Sequence, residues 1–178
     1  MHQTESAPAA LAPTQAAALL EASGAAVQAE LAAAPEAAVA WHPAPGEWCV
    51  KECLGHILEA ERRGFNGRVR LLLQAQEPPL PGWDQQAVAR ERQDCLRPTL
   101  ELLREFTDLR ADSLRLIAGL SQSDLERGGE HEKVGHLRVA DLLHEWVHHD
   151  RNHLKQMLTN IQTYVWPNMA NAQKFAGE

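Results

Sequence analysis

The sequence predicts an all-α protein, a four-helix bundle with a short extra helix and long loops. Four stretches repeat apolar residues at the spacing of a helix that buries one face. Ala, Leu, Glu and Arg recur while aromatic residues make up only 5% of the chain, a mixture that favours helices over sheets. Proline-rich segments break the pattern between those stretches, because proline cannot continue a helix.

A length of 178 residues fits one domain. Residues 1–12 are expected to be a frayed N-terminal segment, 13–166 the bundle and 167–178 a C-terminal tail. The first helix runs from Pro13 to Ala34, with Leu20, Val27 and Leu31 on one face and Gly24 allowing a close approach. Pro35 to Trp48 holds three prolines and Gly46, so it is a loop, pinned to the body by Trp41 and Trp48. The second helix spans Cys49 to Gln76, burying Val50, Leu54, Ile57, Leu58, Phe65, Val69 and Leu72.

The segment EPPLPGW at 77–83 breaks that helix, and residues 84–97 form a short helical excursion. A third helix follows Pro98, with Leu100, Leu103, Phe106, Leu114 and Ile117 as its buried side. Ser121 to Asp124 reads as the start of a short helical piece that Gly128 and Gly129 end. The fourth helix begins near Arg138 and reaches Tyr164 or Val165, where Trp166-Pro167 stops it.

The net charge is −7, from 17 basic and 24 acidic residues, which argues against a nucleic-acid partner. No apolar run approaches the roughly 18 residues of a membrane span, so no membrane partner is expected. The first residues lack the basic region of a secretory signal, and three cysteines are too few for a disulfide framework; both suit a cytoplasmic protein.

Nine histidines stand out, four of them in the run HEWVHHDRNH. At about 100° per residue, His144 and His148 fall on the water-facing side. His149 and His153 fall at the edge of the stripe formed by Leu142, Trp146, Met157 and Tyr164, stacked one turn apart. An H-x-x-x-H pair alone is a weak metal signal, and a third ligand from another helix strengthens it. His56, on the flank of the second helix's apolar stripe, is the best candidate. Three neutral imidazoles leave a divalent ion with open positions, and imidazole suits zinc and nickel alike.

Two rival sites can be weighed. Cys49, Cys53 and His56 project from a similar side of the second helix, but no fourth soft ligand is evident. A di-iron bundle needs E-x-x-H on two helices. Glu145 to His148 is the only instance in the fourth helix, and it points outward.

Three acids sit where catalysis could use them. Asp150 projects near the middle of the fourth helix's stripe, and Glu61 lies on the inner face of the second helix with Arg68 nearby. The structural reading is a buried ion pair with Arg68. The functional reading is a carboxylate that orients ligand imidazoles or accepts a substrate proton. Glu145, one turn before His149, is placed to bond that histidine's free ring nitrogen.

The stretch Pro45 to Glu61 (PGEWCVKECLGHILEAE), taken with Leu142 to Leu154 (LLHEWVHHDRNHL), resembles the DinB-like superfamily. The resemblance implies a four-helix bundle holding one divalent metal, with His56, His149 and His153 at the matching positions. It also implies a homodimer. Members with known activity include thiol-dependent transferases of the bacillithiol and mycothiol types and a thiol-dependent isomerase. This sequence departs from the pattern at Cys49, where the family commonly has a capping Ser. The expected function is therefore a metal-dependent thiol S-transferase or hydrolase. It would act on a small electrophile, with zinc or nickel and a low-molecular-weight thiol as candidate cofactors. The alternative is a non-enzymatic metal-binding or interaction bundle in stress response.

Overall fold

Pro13 opens α1 (Pro13–Ala33), its fixed φ suited to a first helical turn. The computed structural model describes residues 9–177, so most of the segment expected to be frayed, residues 1–8, lies outside the described residues. Leu11 packs against the core, and its amide donates to His144 Nε2 at 2.9 Å. After a four-residue helix, α2 (Glu36–Val39), the chain turns into α3 (Val50–Glu59). A wider π-helical segment, Ala60–Phe65, carries α3 directly into α4 (Asn66–Gln74). The sequence read these three pieces as one uninterrupted helix; the π turn adds a local bulge, as such turns often do beside functional sites.

Past α4 come α5 (Gln85–Arg92), capped by the Asp84 carboxylate, then α6 (Thr99–Ala118) and α7 (Val139–Val165). The four long rods are α1, the α3–α4 rod, α6 and α7. Helix α1 packs on α6 and α7, and α3 packs on the same two, giving the expected four-helix bundle.

The expected loop Pro35–Trp48 holds the helical turn α2, and the expected C-terminal tail continues α7 as a 3₁₀ segment, Trp166–Gly177; two further features differ from the sequence reading. Gly128 and Gly129 do not end a helix; they begin a strand. Strands β1 (Pro79–Leu80), β2 (Gly128–His131) and β3 (Gly135–Arg138) form a small sheet in that order, β1 parallel and β3 antiparallel to β2. A Cβ at Gly129 would collide with the Pro78 carbonyl, so only glycine lets these segments approach there, while one at Gly128 would push aside the exposed His136 ring.

The second difference is the inner face of α6. It consists of Leu102, Phe106, Arg110, Ser113 and Ile117, whereas Leu100 is 58% exposed and Leu103 and Leu114 sit at the flank. An apolar count misses this rotation because the residue at its centre is an arginine. Arg110 is drawn inward by two buried carboxylates, described below.

The apolar core has two parts. One gathers around Trp146, Phe65, Leu142 and Leu20, the other around Phe106, Leu54, Leu58 and Met157. Trp41 meets Tyr164 edge-on at 5.7 Å, so the loop before α3 is pinned by its tryptophan as expected. No helix among the described residues is long and apolar enough to cross a membrane.

Candidate metal centre

His56 projects from the middle of α3, and His149 and His153 project from successive turns of α7. The three rings meet between the helices. Their centroids stand 5.0 Å apart for His56 and His149, and 4.5 Å apart for each pair that includes His153. One nitrogen from each ring lies within 4.8 Å of the others. The Nε2 atoms of His56 and His149 are 3.0 Å apart.

This arrangement fits a metal ion. Two imidazole nitrogens bound tetrahedrally to zinc at about 2.0–2.1 Å stand about 3.3 Å from each other. Burial, reinforced by the other histidines, pushes His56 down to about 3; burial, with His153, His148 and Arg110, does the same to His149. Burial also lowers His153. All three are therefore neutral near pH 7, the form that ligates a metal.

Gln156, a residue the sequence reading did not single out, orients the third ring. Its Oε1 accepts from His153 Nδ1 at 3.0 Å, leaving Nε2 with the lone pair. His149 Nδ1 is buried and without a partner among the described residues. Glu145, expected to bond it, instead leaves its side chain exposed beside the neighbouring cavity.

Aromatic rings wall the centre. Trp48 lies 5.0 Å from the His56 ring, Trp83 stacks at 5.9 Å and Phe65 meets His149 edge-on at 5.2 Å. Trp83 belongs to the segment that the sequence marked only as a helix break. A cavity of about 220 Å³ opens beside His149, lined in part by Phe65, Arg68, Trp83, Lys133 and Glu145. The Arg68 side chain donates through Nη2 to the Pro81 carbonyl, while its buried Nε has no partner.

Arg68 is not the partner of the buried acids. That role belongs to Arg110, which the sequence reading passed over. Its Nη2 donates to Glu61 Oε2 at 2.8 Å, and its Nη1 to Asp150 Oδ2 at 2.7 Å and to the Leu20 carbonyl at 2.6 Å. Ser23 Oγ donates to the same Asp150 oxygen at 2.8 Å. Burial alone would lower Arg110, but Asp150 and Glu61 hold it above its ordinary value. Burial raises Glu61 despite Arg110. All three are at most 3% exposed, so this network braces α1, α3–α4, α6 and α7 from inside.

The rival cysteine site set aside in the sequence reading does not form, and one further expectation needs correcting. Cys53 does not join His56; it is fully buried in the second core cluster, and burial pushes its thiol up to about 12. His144 does not face water. It accepts from the Leu11 amide and donates through Nδ1 to the Ala140 carbonyl at 2.7 Å. His148 is exposed as expected.

A histidine cluster between the helices of a four-helix bundle defines the class of protein. The model of the DinB superfamily matches residues 19–157, and the chain belongs to that family. Among solved structures it is similar to YfiT from Bacillus subtilis, "a probable metal-dependent hydrolase with an unusual four-helix bundle topology". The match has a TM-score of 0.80 and 16% identity, covering 93% of this chain and 94% of that one. It is also similar to a mutant of the mycothiol-dependent maleylpyruvate isomerase, with a TM-score of 0.68 and 9% identity. Here 83% of this chain and 61% of that one are covered. At these identities the likeness is one of fold. Comparison with curated proteins gave no match.

Proposed function

We propose that this chain is a metal-dependent enzyme, a hydrolase or a thiol S-transferase, that acts on a small electrophile. His56, His149 and His153 hold one divalent ion, zinc or nickel. When bound, such an ion lowers the pKa of a coordinated water or thiol and supplies a nucleophile near neutral pH. The observation that carries this reading is the junction of three neutral imidazoles with a cavity of about 220 Å³. A storage site would be closed by a fourth protein ligand; three ligands leave room for water or substrate.

The surrounding residues have separate tasks. Trp48 covers the His56 ring, Trp83 and Phe65 give the cavity an apolar wall beside the rings, and Gln156 fixes the His153 tautomer. Glu145, at the cavity wall, is the acid with access to a substrate proton. Glu61 and Asp150 face Arg110 instead and hold the two ligand-bearing helices in place. The names of the similar structures agree with a hydrolase or a thiol-dependent activity. A homodimer in the cytoplasm forms part of the same proposal.

Metal analysis of the purified protein, followed by assays with ester and amide substrates and with several biological thiols on an alkylating substrate, tests it. One ion per triad and turnover with any of these is the expected result. A metal-loaded protein that no small anion or thiol can reach would overturn the enzymatic reading and leave the non-enzymatic bundle.

A further inference from the structure

His42, Cys49 and Cys95 form a second cluster, unconnected with the triad in sequence. His42 follows α2, Cys49 is the residue before α3, and Cys95 lies in the 3₁₀ turn Asp94–Leu96. One donor atom from each lies within 4.8 Å of the others, so three separate segments converge on one point. All three cysteines are free thiols.

We propose that His42, Cys49 and Cys95 form a second metal site, specific for a thiophilic divalent ion such as zinc. Two thiolates, at about 2.3 Å from zinc, and one imidazole are soft and borderline donors that select zinc over magnesium or calcium. Two thiolates and a neutral imidazole also cancel the ion's charge, so no net charge is buried. The fourth position faces solvent, because His42 is 43% exposed and Cys95 partly so.

Glu52 supplies the outer support such sites use. Its Oε2 accepts from the Cys49 amide at 2.8 Å and sits 2.8 Å from His42 Nε2. With Nε2–H donating to that carboxylate, His42 keeps its lone pair on Nδ1. The Cys95 thiol donates to the Ala40 carbonyl at 3.3 Å, which draws the turn against the chain leaving α2. Burial, together with Cys95 and Glu52, holds the Cys49 thiol well above its ordinary value, and a thiol that ligates a metal gives up its proton on binding.

The departure from the family's capping Ser at Cys49 thus acquires a use. The ion would staple the loop that carries Trp48, and so set the wall against which His56 rests.

Cobalt(II) titration of the full chain, chelator-stripped and kept reduced by a phosphine, tests this. Thiolate-to-cobalt charge transfer gives a near-ultraviolet absorption that histidine ligands do not produce, so the readout is independent of the triad. The expected result is an absorption present in the wild type that, in the His56→Ala/His149→Ala double variant, survives and saturates at one ion per chain. It should also survive in Cys53→Ala and disappear in Cys95→Ala. His42→Ala should weaken the cobalt affinity at least tenfold, and Glu52→Gln by about 10–100-fold, with the helical circular dichroism of both unchanged. Absence of the absorption from folded wild-type protein overturns the site, as does its persistence in Cys95→Ala. A Cys49–Cys95 disulfide in the purified protein, with no absorption after its reduction, overturns it too.

Discussion

His56 Nε2 and His149 Nε2 face each other across 3.0 Å, from α3 and from α7. In the metal-free protein one neutral ring fills that gap by donating its single proton as Nε2–H; an ion would take both lone pairs instead, because burial keeps both rings from being doubly protonated. We expect His56→Ala, His149→Ala and His153→Ala each to abolish metal uptake at this centre, measured as cobalt or zinc stoichiometry on a background lacking Cys95. His148→Ala should leave it intact. His144→Ala should too, while costing about 1 kcal/mol of stability because it frees the Leu11 amide. Full occupancy in His153→Ala would refute the ligand set.

Gln156→Ala removes the acceptor that turns His153 Nε2 towards the other rings. Its expected effect is a loss of about 10–100-fold in metal affinity with an unchanged melting temperature of the metal-free protein. A competition titration against a chelator reads the first and a thermal melt the second. An unchanged affinity would show that His153 needs no such support.

Acid should destabilise the metal-free bundle. His56 and His149 sit at about 3 in the fold against an ordinary value of 6.5, so the unfolded chain binds their protons first. Their contribution is complete above about pH 6.5 and is lost as pH falls towards 3. The melting temperature of chelated protein should therefore fall through that window, less steeply in His56→Gln. Identical slopes for the two proteins would contradict the assignment.

The Arg110 network is worth testing apart from the metal. Arg110→Met leaves Glu61 and Asp150 buried without their cation and should cost on the order of 3–5 kcal/mol. Asp150→Asn keeps a side-chain oxygen for Ser23 and Arg110, and Glu61 still balances the arginine. Its cost should be smaller, about 1–3 kcal/mol, with metal affinity nearly unchanged in the folded fraction. Denaturant melts and a metal titration on the same variants separate these effects. A large loss of metal affinity in Asp150→Asn would assign that carboxylate to the centre instead.

Gly55→Ala offers a test of packing. A Cβ there would run into the Asp94 carboxylate, which is held by Arg92 and Arg97. We expect a loss of about 1–3 kcal/mol in chemical denaturation, the usual cost of overpacking a close contact. No loss would mean that the 3₁₀ turn yields freely.

Periodicity within a single helix depends only on local geometry, so the sequence by itself determined the four long helices and the positions of His56, His149 and His153 on the edges of their stripes. The spacing of His149 and His153 placed both rings on one side of α7 before any packing was known. What lies between helices was decided by the tertiary structure. Arg110 was invisible to an apolar count because its place in the core depends on Glu61 and Asp150, which come from other helices. The same holds for Trp83 and for the meeting of His42, Cys49 and Cys95, which are brought together from segments with no common period. Gly128 and Gly129 read as a helix stop because glycine is locally a breaker. Only the close passage of the Pro78 carbonyl shows that the missing side chain at Gly129 makes room for a strand.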